Sequence, residues 1–186
     1  MAHPSTTHAR ARKRGLTLVE VMVVIALLGI AAALVVPAMG TTGGLRVQGA
    51  IRTIVSDLTF AQSDAIAFQQ ARAVVFDQAA NSYRLVQVVN GDIDEANTLY
   101  DGSARGKQYV VNLGNNDFGN ARITSVAFNG TSSTLIYDDM GTPVASASGN
   151  TPGSGGRIRV EGQGSVHDII VEPYTGRITV RRISGD

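Results

Sequence analysis

One stretch limits what this chain can fold into more than any other. From Val21 to Val36 it holds 16 residues without a charge or a strongly polar side chain. Carried back to Leu16 and on to Met39, the run reaches 24 residues, interrupted only by Thr17, Glu20 and Pro37. At about 1.5 Å per helical residue this extends about 36 Å, enough to cross a hydrocarbon layer of roughly 30 Å. A membrane-spanning helix is therefore expected over residues 16–39. Glu20 is the sole charge between Arg14 and Arg46. A carboxylate inside such a run costs roughly 2.5–3.5 kcal/mol on insertion scales, so its presence asks for a function.

The order of parts departs from that of an ordinary secretory signal, in which the cleavage site follows the apolar run. Here Arg12, Lys13 and Arg14 lead directly into Gly15 and Leu16, ahead of the run. A cut between Gly15 and Leu16 removes the cations, leaves the apolar helix on the mature protein, and frees an amine four residues before Glu20. An ammonium beside a carboxylate lowers the cost of holding either in lipid, and the amine of a neighbouring subunit would serve equally. The alternative is a secretory signal cleaved after Ala38, where Val36, Pro37 and Ala38 offer small or modest side chains. That reading leaves Gly15, Glu20, Gly29 and Pro37 unexplained as a set.

The segment Gly15-Leu16-Thr17-Leu18-Val19-Glu20 resembles the prepilin-peptidase site of type IV pilins and type II secretion pseudopilins. The resemblance implies cleavage between Gly15 and Leu16, N-methylation of Leu16, and a role for Glu20 in assembly. Counting from Leu16, the helix-softening glycine and proline of that family fall on Gly29 and Pro37. Leu16 replaces the usual phenylalanine. The family also implies the fold: α+β, with a long N-terminal helix, half membrane-spanning and half amphipathic, packed against an antiparallel β-sheet or two small sheets.

The formal charge of the whole chain is +1, but Arg10, Arg12, Lys13 and Arg14 lie in the leader with no acid, so the remainder carries −3. The basic balance belongs to the leader, and the positive-inside rule keeps that end cytoplasmic. The expected location is the bacterial inner membrane, crossed once, with the C-terminal domain extracytoplasmic. The chain has no cysteine, which excludes disulfides and thiolate metal sites. Beyond the leader's His3 and His8, only His167 remains, so a histidine metal centre is not expected.

Four regions are expected: a leader over 1–15, the membrane helix over 16–39, a Gly-rich joint with an amphipathic helix over 40–70, and a β-rich domain over 71–186. In the third, Val47, Ile51, Ile54, Leu58, Ala61, Ala65 and Phe68 recur at helical spacing on one face. Arg52, Ser56, Asp57, Thr59, Gln62, Ser63 and Gln70 fall largely elsewhere. From Ala71 the period changes. Strands are expected over 71–76, 83–89, 108–113, 122–128, 134–137, 157–161, 166–172 and 177–183, separated by turn residues such as Asn129-Gly130 and Gly162-Gln163-Gly164. The Ser/Gly/Asn-rich segment 146–156 is expected to be a mobile loop.

Residues Ile169 to Val180, with a Gly176-Arg177 turn, resemble the closing hairpin of the GspH/FimT-type minor pseudopilins. Leu58 to Val75 is similar to that group's passage from helix to first strand. Some members engage DNA through C-terminal arginines in a Gly-Arg-x-Arg pattern. Here Arg177, Arg181 and Arg182 form a small cluster, but Thr179 stands where the second arginine of the pattern would be. That argues against DNA as the main partner, leaving a DNA-binding minor pilin of an uptake machine as the alternative function.

Enzymatic chemistry is not expected. Gly153-Ser154-Gly155-Gly156 lacks the Lys and Ser/Thr of a phosphate loop, and His167 has no Ser or Cys motif beside it. Asp92, Asp94, Glu95 and Asp101 form an acidic stretch, but their spacing fails the calcium-loop pattern. The sequence reading is thus a minor pseudopilin or pilin without cofactor or metal. Its partners are prepilin peptidase, other major and minor subunits, the inner membrane and secreted cargo.

Overall fold

The structure is a computed structural model that describes residues 17–35, 42–102 and 106–185. The chain divides into two compact units, Met1–Thr41 and Thr42–Asp186. Gly15, Leu16 and Pro37 lie outside the described residues.

The described part of the first unit is one helix, α1 (Leu18–Val35). Thr17 caps it: its hydroxyl accepts from the Glu20 backbone N–H at 3.2 Å, and its carbonyl accepts from the Val21 N–H at 3.2 Å. Its 18 residues extend about 27 Å, short of the 24-residue expectation. Among the described residues, no helix is long and apolar enough to cross a membrane. The remaining positions of the expected span, Leu16 and 36–39, are not described.

The second unit starts with α2 (Thr42–Phe68). Gly43 and Gly44, expected in a joint, instead form part of its first turn. Of the expected stripe, Val47, Ile51, Ile54, Leu58, Ala61 and Ala65 are buried. Phe68 is the exception at 65% exposed, because the helix ends there and its ring faces the Arg72 guanidinium, 5.7 Å away. Asp57, which the pattern set off the stripe, is buried beside Ile54 and Leu58.

Among the described residues nine strands follow, in two antiparallel sheets. β1 (Arg72–Asp77), β2 (Ser82–Gln87), β3 (Val110–Asn112), β5 (Thr134–Tyr137) and β6 (Pro143–Val144) form the first, in the order β3-β2-β1-β5-β6. β4 (Arg122–Phe128), β7 (Gly156–Gly162), β8 (Ser165–Val171) and β9 (Ile178–Ser184) form the second, in the order β4-β7-β8-β9. The two-residue β6 was not expected from the pattern. Nor was segment 146–156 expected to be tied down. Ala145 N–H donates to Thr151, Gly153 N–H donates to the Pro143 carbonyl, and Gly156 already belongs to β7. Gly155 is required there: its φ is +72°, and a Cβ would run into the Val171 carbonyl.

One apolar core joins α2 to both sheets. The helix stripe meets Val74, Phe76 and Leu85 of the first sheet, and Ile123, Phe128, Ile158, Val160, Ile169 and Val171 of the second. Strand alternation sends Ala73, Val86, Ile136 and Val144 to the other face of the first sheet, where a smaller cluster buries them. Gln62 of α2 ties down two turns, donating to the Gly141 carbonyl at 2.8 Å and the Thr175 carbonyl at 3.0 Å.

Candidate assembly helix and charged strand ladder

α1 carries its apolar side chains on every side. Leu18, Val19, Met22, Ile25, Leu27, Leu28 and Ile30 are all exposed. Glu20 sits in the first turn, exposed, and is the only ionisable residue of the helix. Thr17-Leu18-Val19-Glu20 has the spacing of a helix capping box, of which the Thr17 hydroxyl makes its half, a local use of Thr17 that the sequence reading missed. A carboxylate there also favours the positive end of the helix dipole. The two uses are compatible: the cap engages the Glu20 backbone N–H, and the carboxylate is left facing outward. Gly29 lies mid-helix, and apart from the adjoining helix backbone nothing described stands within 4 Å of where a Cβ would be.

The C-terminal arginines do not share one face. Arg177 precedes β9 rather than opening it, with its N–H directed to the Thr175 hydroxyl at 3.2 Å. Arg181 stands opposite Asp168, and Arg182 stands opposite His167. These neighbours point to opposite faces of the strand. A bulge at Ile183 follows, since Val166 pairs with Ser184 while His167 pairs with Arg182. All three arginines are exposed.

Asp168 organises the outer face of the second sheet. Only 4% exposed, it accepts from Arg159 Nε at 2.7 Å and Arg159 Nη2 at 3.0 Å, with Arg157 3.6 Å away. Those guanidinium bonds, partly offset by burial, hold its carboxyl below the usual carboxylate range. On the inner face His167 is buried, with Nε2 3.3 Å from Gln48 Nε2. If the amide donates, the ring proton sits on Nδ1, which is buried without a partner among the described residues. Burial and the neighbouring Arg182 push its pKa down, favouring the neutral ring.

Asp57 is the other buried acid. Tyr83 donates to it at 2.5 Å and Tyr109 at 2.9 Å. Burial raises its pKa, outweighing the two hydroxyls that lower it; both tyrosine hydroxyls are pushed up in turn, by burial and by the carboxylate. Its helical position, three residues past Ile54 and one before Leu58, was the available signal. The acidic stretch is partly spoken for: Asp94 caps a short 3-10 turn at Ala96, and Glu95 pairs with Arg84. Among the described residues no group of acids and histidines could hold a metal ion.

Comparison with known proteins adds one finding. The prokaryotic N-terminal methylation motif matches residues 10–36, which include Gly15, Leu16, Glu20 and Gly29. The motif indicates a precursor of the type IV pilin-like class, processed by prepilin peptidase, anchored at the inner membrane and assembled with other pilins. The α+β fold, with a helix packed on antiparallel sheets, is consistent with that class. No curated protein and no solved structure matches the chain.

Proposed function

We propose that the chain is a minor pseudopilin or minor pilin of the GspH/FimT type, cleaved between Gly15 and Leu16, N-methylated on Leu16, and built into a pseudopilus or pilus. One observation carries this reading: the methylation motif spans a helix that is apolar all round and holds a single acid at its head. An apolar helix with no polar side suits burial in lipid or among like helices. Within such a bundle Glu20 needs a cation, and the amine created at Leu16 on a neighbouring subunit is the natural one. That pairing fixes the axial offset between subunits. The second unit, with its own core, is then the contact domain for other minor subunits or cargo.

The DNA-uptake alternative draws on Arg177, Arg181 and Arg182. Adjacent strand positions point two of them to opposite faces, so they give no single phosphate-binding surface. The test is assembly in the native host. Glu20→Ala is expected to leave cleavage and the folded second unit intact while removing the subunit from sheared filaments. Normal incorporation of Glu20→Ala would overturn the reading. A salt-graded gel shift of a DNA duplex, lost in an Arg181→Ala, Arg182→Ala double variant, would favour uptake instead.

A further inference from the structure

β9 closes one edge of the second sheet. It is seven residues long, and from Val180 to Ser184 every residue is exposed. The other edges are shorter or better covered: β3 has three residues, β6 has two including Pro143, and β4 buries Ile123, Val126 and Phe128. An uncovered edge of this length is a template for another strand.

The cross-strand rows specify what that strand must carry. One row runs Ser125, Arg159, Asp168, Arg181 across β4, β7, β8 and β9 on the outer face. Its last three members alternate positive, negative, positive. Asp168 is already engaged by Arg159 and Arg157, and among the described residues Arg181 has no ion pair of its own. The next row, on the inner face, runs Val126, Ile158, Ile169, Val180. Its first three members are buried, while Val180 is 43% exposed at the open end.

From these two unfinished rows we infer that β9 accepts an extended segment of a partner protein by antiparallel strand addition. The segment carries a carboxylate opposite Arg181 and an apolar residue immediately after it, opposite Val180. Opposite Arg182 a second acid or a polar residue fits. The carboxylate continues the charge alternation, and the apolar residue covers the exposed end of the core row. Two copies of β9 paired edge to edge would set arginines near arginines, which disfavours a homotypic dimer here. The inference goes beyond the assembly reading and holds independently of α1.

The test uses the full chain in detergent and a fluorescein-labelled peptide of alternating threonine and valine with two adjacent central glutamates. Fluorescence anisotropy is expected to show saturable binding, roughly tenfold weaker for the peptide with lysines in place of the glutamates. Arg181→Glu should reverse that preference, whereas Arg177→Glu, an equal charge change off the row, should leave it intact. Arg177→Glu should melt at the parental temperature, and Arg181→Glu, whose new carboxylate faces Asp168, should stay folded with a modestly lower midpoint. Peptides N-methylated on alternate amides give a strand-specific readout. Methylation in one phase should abolish binding, and in the other should spare it, because alternate N–H groups point to opposite sides of a strand. Equal losses in Arg181→Glu and Arg177→Glu, equal effects of both methylation phases, or binding of a DNA duplex but not the peptide would each overturn the inference.

Discussion

α1 and α2 are both rich in apolar residues, yet they spend them differently. α2 gathers Val47, Ile51, Ile54, Leu58, Ala61 and Ala65 into one buried stripe and leaves a mixed surface elsewhere, where Leu45, Phe60, Ile66 and Phe68 stand exposed among polar residues. α1 has no such side: its described side chains are exposed all round, with one acid in the first turn. A stripe is satisfied by a sheet from the same chain. A helix that is apolar on every side is satisfied by lipid or by several other helices. The contrast separates residues that stabilise the fold from residues available for assembly.

The largest expected effect tests that separation directly. Ile54→Ala, fully buried, should lower the stability of the second unit by about 2–5 kcal/mol, measured by denaturant unfolding. Ile25→Ala in α1 should leave the same transition unmoved. A comparable loss from Ile25→Ala would break the comparison. Next comes Asp168→Ala, which leaves Arg157 and Arg159 without their acid. The thermal midpoint should fall, though less than for Ile54→Ala, and scanning calorimetry reads the order.

A smaller effect sharpens the picture inside the second unit, where the two buried acids carry opposite signs. Asp168 has a depressed folded pKa. Its stabilisation is therefore present above the ordinary carboxylate value of about 3.9 and is lost as pH falls through the folded value. Asp57 has a raised folded pKa. Its contribution is full below about 3.9 and declines as pH rises through the folded value. Asp57→Asn should flatten the declining limb of the stability–pH profile, and Asp168→Asn the rising limb. Exchanged effects would contradict the assignment. Smallest of all, Arg177→Ala should stay within about 0.5 kcal/mol of the parent, as for an exposed residue off the strands.

Much of the fold was legible in the sequence because it rests on periodicity. The step of three and four placed the α2 stripe, and strands β4 and β5 begin and end where alternation and turn residues set them. The misses have local causes. Phe68 fits the helical period but sits at the terminus, where Arg72 offers its ring a cation. Gly43 and Gly44 read as a joint, yet the first turn of a helix that is packed along its length tolerates them. β6 is too short, and holds a proline, for any pattern to reveal.

The sites divide in the same way. Glu20 stood out because a charge interrupts an apolar run, and such an interruption is visible in one dimension. Its cap from Thr17 went unread, although the T-x-x-E spacing carried it. Asp57 and Asp168 were not, because their partners lie far along the chain: Tyr83 and Tyr109 for one, Arg159 for the other. Arg181 takes its meaning only from the register that sets it opposite Asp168.

The central claim is that the motif over residues 10–36 is a processing site that exposes an amine for Glu20 to use. Intact-mass measurement of the protein co-expressed with a prepilin peptidase tests it most directly. The account predicts a mature chain beginning at Leu16 and one methyl group heavier than its sequence, with Gly15→Leu leaving the precursor uncut. A mature chain beginning at Met39, or an unmodified precursor in the presence of active peptidase, would contradict it.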